Sequence, residues 1–418
     1  MSTPAHAATA GPDLGPRRSP FGPARRVFQG DLVSVRVILA IAVIWIIFQA
    51  QNGRFLSAVN LTNLVLQVTA TGLISVGVVF VLLLGEIDLS VGAVSGVTSA
   101  LMAVLNVEHG WNPYLAIGAA LVLGLAIGVF QGALFSGFGV PSFIITLAGL
   151  LAWQGLQLYV LGNAGSVNVT DGKIVGLANT FYSDAAGWVI AAVVIAGYAG
   201  MTLGSLRSRR AAGLADTDAS GPIARIVVVA VATIAIVAVL NSDRGVPLAV
   251  LILVAFVAGM QYVAARTAFG RHVFAVGGNA EAARRAGIHL KRVRIIVFGI
   301  SGTMAAIGGI LAASRLLAVD QSSGGSDLLL FAIAGPVIAG TSLFGGRGSV
   351  WSALLGAITI GSISNGMDLL ALQSSVKFMV TGTVLVAAVI VDALARRNRP
   401  AGANRGTPLR SRWLPGRT

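Results

Sequence analysis

Apolar residues in this chain do not recur at the spacing of a single helix face; they come in nearly unbroken runs. Twelve runs stand at 35–50, 64–84, 89–105, 114–135, 143–161, 188–206, 224–240, 247–264, 295–313, 328–344, 350–370 and 376–394. A helix needs about 20 residues to cross the ~30 Å hydrocarbon layer of a bilayer, and somewhat shorter runs suffice when flanked by polar ends. Backbone polar groups in lipid must be satisfied within the segment, which leaves the helix as the form such runs take. The expected fold is therefore all-α: a polytopic integral membrane protein of about twelve (ten to twelve) transmembrane helices. Within the runs, small residues recur at helical contact spacing, as in Gly124-x-x-x-Gly128, which predicts close helix packing.

Composition agrees. Hydrophobic residues make up 56% and charged residues 11%, with a mean hydropathy of +0.85. A soluble domain carries about 25% charged residues, so this chain needs lipid as its solvent. Cysteine is absent and histidine occurs four times, which excludes disulfides and thiolate metal sites and argues against a histidine-rich one. No cofactor is expected.

Charge fixes an orientation. Lys and Arg number 29 against 15 Asp and Glu, a net +14, and only Lys173, Lys291 and Lys377 are lysines. The basic residues cluster at the ends of apolar runs, the distribution of the positive-inside rule rather than of a nucleic-acid-binding face. With the N-terminus inside, the inside segments include the arginine-rich linker 207–223, the loop 265–294 and the tail 395–418, whereas Glu108, Asp171, Asp184, Asp243, Asp320 and Asp327 fall outside. Both termini are then cytoplasmic. Residues 1–34, rich in Pro, Gly, Ala and Arg, read as a disordered cytoplasmic tail, 35–394 as the transmembrane domain and 395–418 as a basic tail. The pairs Arg17–Arg18 and Arg25–Arg26 are not taken as a twin-arginine signal, because no small-residue cleavage site follows the first run.

Several chemistries are missing. None of the three lysines stands in a GxxxxGK[ST] phosphate loop, and no HExxH occurs. The string Gly299-Ile300-Ser301-Gly302 resembles the serine context of intramembrane proteases. Its serine has no base in a span, since His272 and His289 lie in the basic loop and His109 lies outside. The string is read as helix packing, and the chain as a non-enzyme.

Two strings carry information. Gly85-Glu86-Ile87-Asp88-Leu89-Ser90-Val91-Gly92 sets two carboxylates between apolar runs. Asp88 and Ser90 suit an N-cap of the next helix, and acids near membrane depth are functional candidates. The second is the loop 265–294. There Asn279 suits the N-cap of a short surface helix, Glu281 its first turn, Arg284 and Arg285 its last, and Gly287 its C′ position. A short echo also links Gly85…Ser90-Val91 to Gly345…Ser349-Val350, which is either a trace of two related halves or a chance match of residues common in this chain.

Glu281-Ala282-Ala283 followed by Gly287 resembles the EAA-x-x-x-G signature of ABC-importer permeases. Together with GEIDLSVG, Gly139-Val140-Pro141-Ser142-Phe143-Ile144 and the segment from Ala339 to Ser349, it resembles the monosaccharide branch of that family over roughly residues 55–395. The Ile-x-Leu-Pro tail of the longer signature is absent; Val297-Phe298-Gly299-Ile300 stands there. The segment 162–225, with an outside loop and an extra helix pair, looks like the xylose and multiple-sugar permeases rather than the shorter ribose type. The resemblance implies a permease subunit of the bacterial cytoplasmic membrane, working with two cytoplasmic ATP-binding subunits, an extracytoplasmic sugar-binding protein and a second permease copy. It implies an ATPase-coupling surface at Gly278, Asn279, Glu281, Ala282, Ala283 and Gly287. Polar side chains on spans are the candidates for the translocation pathway: Asp88, Ser90, Asn63, Gln67, Gln131, Trp153, Gln154, Gln157 and Asn365. For most of these the competing reading is an interhelical hydrogen bond. A secondary sugar transporter of the twelve-span type is the alternative, set against by the acidic connection at Glu86 and Asp88 and by the position of the richest basic loop.

Overall fold

The computed structural model describes residues 32–213 and 220–397. The two tails beyond these limits, and the middle of the linker 207–223, lie outside the described residues. Fifteen α-helices occur among the described residues: α1 (Leu32–Gln51), α2 (Ala58–Leu83), α3 (Val91–Ala103), α4 (Pro113–Phe138), α5 (Ser142–Leu161), α6 (Gly172–Asn179), α7 (Asp184–Ala211), α8 (Ser220–Asn241), α9 (Leu248–Arg266), α10 (Ala268–Gly278), α11 (Ala280–Arg285), α12 (Leu290–Leu316), α13 (Ser326–Ile338), α14 (Trp351–Leu369) and α15 (Ser374–Arg397). Four strands of two or three residues pair as β1 (Ser166–Asn168) with β4 (Ala318–Asp320) and β2 (Phe181–Tyr182) with β3 (Val246–Pro247), both antiparallel. They knit the loops at one end of the helix bundle.

Among the described residues eight helices are long and apolar enough to cross a membrane: α2, α3 with the π-helical turn that carries it to Glu108, α4, α5, α7, α8, α9 and α12. Val35–Gln51 of α1 and Asp327–Ile338 of α13 are apolar but shorter. The burial pattern matches a lipid solvent. α2, α3 and α12 are largely enclosed, whereas α4, α5, α7 and α8 turn Val122, Leu151, Val193 and Val231 outward, each more than three-fifths exposed. Helix ends follow local chemistry. Asn112 caps α4 through Oδ1 to the Tyr114 amide at 2.9 Å, with Pro113 at the first helical position, and Gly139 closes it at φ 69°.

Glycines set the central packing. α4 and α12 run antiparallel with their backbones in direct contact. A Cβ on Gly124 would lie 2.6 Å from Gly302 O, one on Gly128 would collide with Phe298 O, and one on Gly132 would lie 2.9 Å from Ile295 Cα. Gly299 and Gly302 of the protease-like string are thus part of this seam. α2 and α12 are also antiparallel: Gly77 faces Ser301 and Met304, while Gly308 faces Ala70 and Ile74.

The chain contains two copies of one unit in opposite directions. α2 (26 residues) and α3 (13 residues) are matched by α12 (27 residues) and α13 (13 residues). Each long helix ends at a left-handed residue, Gly85 at φ 77° and Leu317 at φ 59°. Each then enters an Asp-x-Ser turn, Asp88 to Ser90 and Asp320 to Ser322. In both turns the serine amide donates to the aspartate Oδ1 at 2.9 Å, and its Oγ lies 2.6 and 2.8 Å from the same atom. The two short helices begin side by side, since a Cβ on Gly92 would lie 2.6 Å from Gly324 O. This is the arrangement of an inverted repeat with discontinuous helices. It corrects the echo read between Gly85…Val91 and Gly345…Val350. The latter segment is not the counterpart of the former but its neighbour: the Gly346 amide donates to Leu83 O at 2.9 Å.

Candidate functional site

Between α2 and α3 the chain dips into the protein, and Asp88 is only 4% exposed. Besides the two groups of Ser90 on Oδ1, its Oδ2 accepts from Ser301 Oγ on α12 at 3.0 Å. A buried carboxylate is tolerated when donors surround it, and here three converge. Ser90 stands at the N-cap of α3, but the cap is not made by its side chain; the Asp88 carboxylate holds the turn instead. Ser90 Oγ also lies 3.0 Å from Gln131 Oε1 on α4. A hydroxyl has one proton, and the nearer acceptor, Asp88 Oδ1, takes it. The rest of the Gln131 amide, on a side chain 2% exposed, and the Trp153 indole N–H both point at the part of α5 left bare by Gly149. A Cβ there would collide with Gln131 Nε2 and lie 3.0 Å from Trp153 Nε1, and neither group has a hydrogen-bond partner among the described residues. Gln131, Gly149, Trp153 and Ser301 stand roughly 10–16 Å in from the neighbouring ends of α4, α5 and α12, counted at about 1.5 Å per residue.

Of the polar residues singled out for a pathway, Asp88, Ser90, Gln131 and Trp153 therefore come together. Ser301 joins them, signalled in the sequence only by a string read as packing. Gln157 is close by: its Nε2 donates to Asp320 O at 2.8 Å and Ser323 O at 2.9 Å, tying α5 to the second Asp-x-Ser turn. The others lie elsewhere. Asn365 Oδ1 accepts from Asn60 Nδ2 at 2.8 Å, the interhelical bond that was the competing reading. Asn63 accepts from Arg244 at 3.0 Å at the strand-bearing end. Gln67 is half-buried on α2, and Gln154 is exposed on α5.

At the other end of the bundle the loop 265–294 forms α10 and α11. Asn279 has extended backbone and accepts from the Ala282 amide at 2.9 Å, so it caps α11. Glu281 Oε1 accepts from Arg284 at 2.9 Å and Arg285 at 3.1 Å, and these bonds hold its carboxyl below the usual range. Gly287 takes φ 84°, and the Gly287 and Ile288 amides close the helix on Arg284 O and Ala283 O. Ala283 is buried, whereas Gly278, Asn279, Glu281, Ala282 and Gly287 are exposed. Just before α11, three glycine segments meet. A Cβ on Gly277 would collide with Leu83 O, and one on Gly345 would lie 2.6 Å from Gly277 O and 2.8 Å from the Gly85 amide nitrogen.

Comparison with known proteins gives one family. Residues 60–389 match the model described as branched-chain amino acid transport system / permease component. The chain is 38% identical over 365 residues to the xylose transport system permease protein XylH of Escherichia coli, covering 87% of this chain and 92% of that protein. It is 36% identical to XylH of Haemophilus influenzae over 85% of this chain and 95% of that protein. To the ribose import permease protein RbsC of Bacillus subtilis it is 31% identical over 87% and 94%. No solved structure matches the chain to a significant degree.

Proposed function

Since the chain belongs to this family of membrane-spanning transport permeases, we propose that it is the permease subunit of an ATP-binding-cassette importer that carries a monosaccharide such as xylose across the bacterial inner membrane. The observation that carries the reading is the 38% identity to xylose permease across 92% of that protein. The buried cluster supports it. A zwitterionic amino acid asks for a free cation and a free carboxylate, whereas Asp88 is already held by Ser90 and Ser301, and what remains at Gly149 is a neutral amide and an indole N–H. Such groups suit hydroxyls, which donate and accept.

In this reading two copies of the chain enclose the path, and Asp88, Ser90, Gln131, Trp153 and Ser301 line its middle. The end that carries α10 and α11 faces the cytoplasm, with both termini on that side. Two ATP-binding subunits dock on Gly278, Asn279, Glu281, Ala282, Ala283 and Gly287, and a sugar-binding protein delivers to the strand-bearing end. ATP acts by binding one arrangement of the docked subunits better than another, and that difference shifts the permease between its open forms.

The test is reconstitution with an ATP-binding subunit and a sugar-binding protein in liposomes. The expected result is ATP-driven accumulation of D-xylose, with no ATP hydrolysis by the chain alone. Accumulation of leucine and of no pentose or hexose would overturn the sugar reading. Gly287→Val, which forces a branched side chain into left-handed backbone at a local cost of about 1–2 kcal/mol, is expected to insert normally and to lose both uptake and co-purification of the ATP-binding subunit. Glu281→Ala is expected to do so less severely.

A further inference from the structure

Glu86 begins the dip that leads to Asp88, and its neighbours come from every side of the bundle's α11-bearing end. Its Oε1 accepts from Arg294 Nη2 at 3.3 Å, with the two side chains 18% and 26% exposed. Arg294 lies on the first turns of α12, shortly after α11, and its guanidinium also stands 4.8 Å over the Phe135 ring of α4. The next amide, that of Ile87, donates to Ser142 Oγ at the start of α5 at 3.3 Å. Four elements thus meet on one ion pair: the dip, α4, α5 and α12. The other flank of the dip is the glycine junction, where Gly85, Gly277 and Gly345 touch through backbone alone. A displacement of α11 reaches the dip by two short routes, through Gly277 and Gly345 to Gly85 and through the start of α12 to Arg294 and Glu86.

We propose that Glu86 and Arg294 are positioning residues that form a latch closing the pathway between Asp88 and the end that carries α11, released when α11 moves. This rests on the permease reading above. A partly enclosed pair suits the task. An exposed pair holds too little energy to keep a mouth shut, and a fully buried one leaves an uncompensated charge when it parts. The Glu86 and Arg294 side chains are only partly enclosed, so neither charge is sealed in when the pair parts.

The experiment uses the assembled complex in liposomes and reads D-xylose leak without ATP beside ATP-driven accumulation. Glu86→Gln and Arg294→Gln are each expected to raise the leak about tenfold, the factor set by losing an interaction of intermediate strength, and to lower accumulation correspondingly. The exchanged pair Glu86→Arg with Arg294→Glu is expected to bring the leak back toward the original value. Tight vesicles in both single variants, or an exchanged pair as leaky as the singles, would overturn the latch. A second measurement does not depend on how the charge variants fold. The chain has no cysteine, so Glu86→Cys with Arg294→Cys is joined by a short reducible crosslinker. Crosslinking is expected to abolish both the leak and the uptake of this variant, and reduction to return both to the level of the uncrosslinked variant; leak and uptake unchanged by the crosslink would overturn the proposal. Failure of the unaltered complex to accumulate any sugar would remove the permease reading and the latch with it, whereas normal accumulation by the unaltered complex beside tight single variants would overturn the latch alone.

Discussion

Asp88 is held by its neighbours rather than by water, so the balance of donors around it decides what a single atom is worth. Removing one partner of a buried hydrogen-bonded acceptor costs about 1–3 kcal/mol. Ser301→Ala, which deletes the sole described donor to Oδ2, is expected to lower the melting temperature of the detergent-solubilised chain accordingly. Ser205→Ala, on the exposed face of α7, is expected to leave it unchanged. Trp153→Phe keeps an aromatic ring beside Phe130 but loses the N–H together with the volume of the second ring; its expected signature is a raised KM for D-xylose uptake with a modest fall in melting temperature. The sequence made Asp88 and Ser90 visible because two polar residues between apolar runs have few ordinary explanations. Ser301 was hidden, because a serine flanked by glycines on an apolar helix also reads as packing. The distinction rests on which helix lies opposite, and that is a long-range fact.

Helix packing here is decided by where side chains are absent. Gly128 and Gly118 stand on the same helix and look alike in sequence. A Cβ on Gly128 would meet the Phe298 carbonyl, whereas a Cβ on Gly118 meets nothing within 4 Å. Gly128→Val is therefore expected to cost well above the ~1–3 kcal/mol of ordinary overpacking and to reduce folded yield, while Gly118→Val is expected to be neutral; thermal unfolding of both in detergent checks the contrast. Each of the twelve apolar runs overlaps a helix, since uninterrupted apolarity is a strong local signal, but the run 328–344 outlasts α13, which ends at Ile338. The short amphipathic helices α6 and α10 were not legible. α10 buries only Gly270, Val273 and Val276, too weak a stripe to stand out within a basic loop. The true internal repeat escaped for a related reason. What Gly85 and Leu317 share is a backbone angle, not a residue type, whereas the strings alike in glycine, at Gly85 and Gly345, are neighbours at the α11-bearing end.

At the scale of the whole molecule the ends of the bundle differ in kind: strands and acidic loops at one, α10, α11 and their arginines at the other. Single cysteines in a chain that has none give a direct reading of which end faces the cytoplasm. An impermeant thiol reagent on intact cells is expected to label Ser183→Cys and not Arg285→Cys, both of which are exposed positions; the reverse pattern would invert the orientation. Lipid-facing and interior surfaces were only partly legible, because a helix apolar all round carries no stripe to say which side is which. The glycine seam between α4 and α12 has a mechanical consequence. Side chains between helices act as a compliant layer that repacks when one helix moves against another. Along Gly124, Gly128 and Gly132 that layer is missing, and carbonyls sit against α-carbons. Tilting one helix against the other would open a void or force a clash along the whole line of contact, so α4 and α12 travel as a single stiff pillar. α3 is bound to the same pillar, since a Cβ on Gly309 would collide with Ser95 O, so any change in the shape of the path must be taken up by the helices that stand outside it.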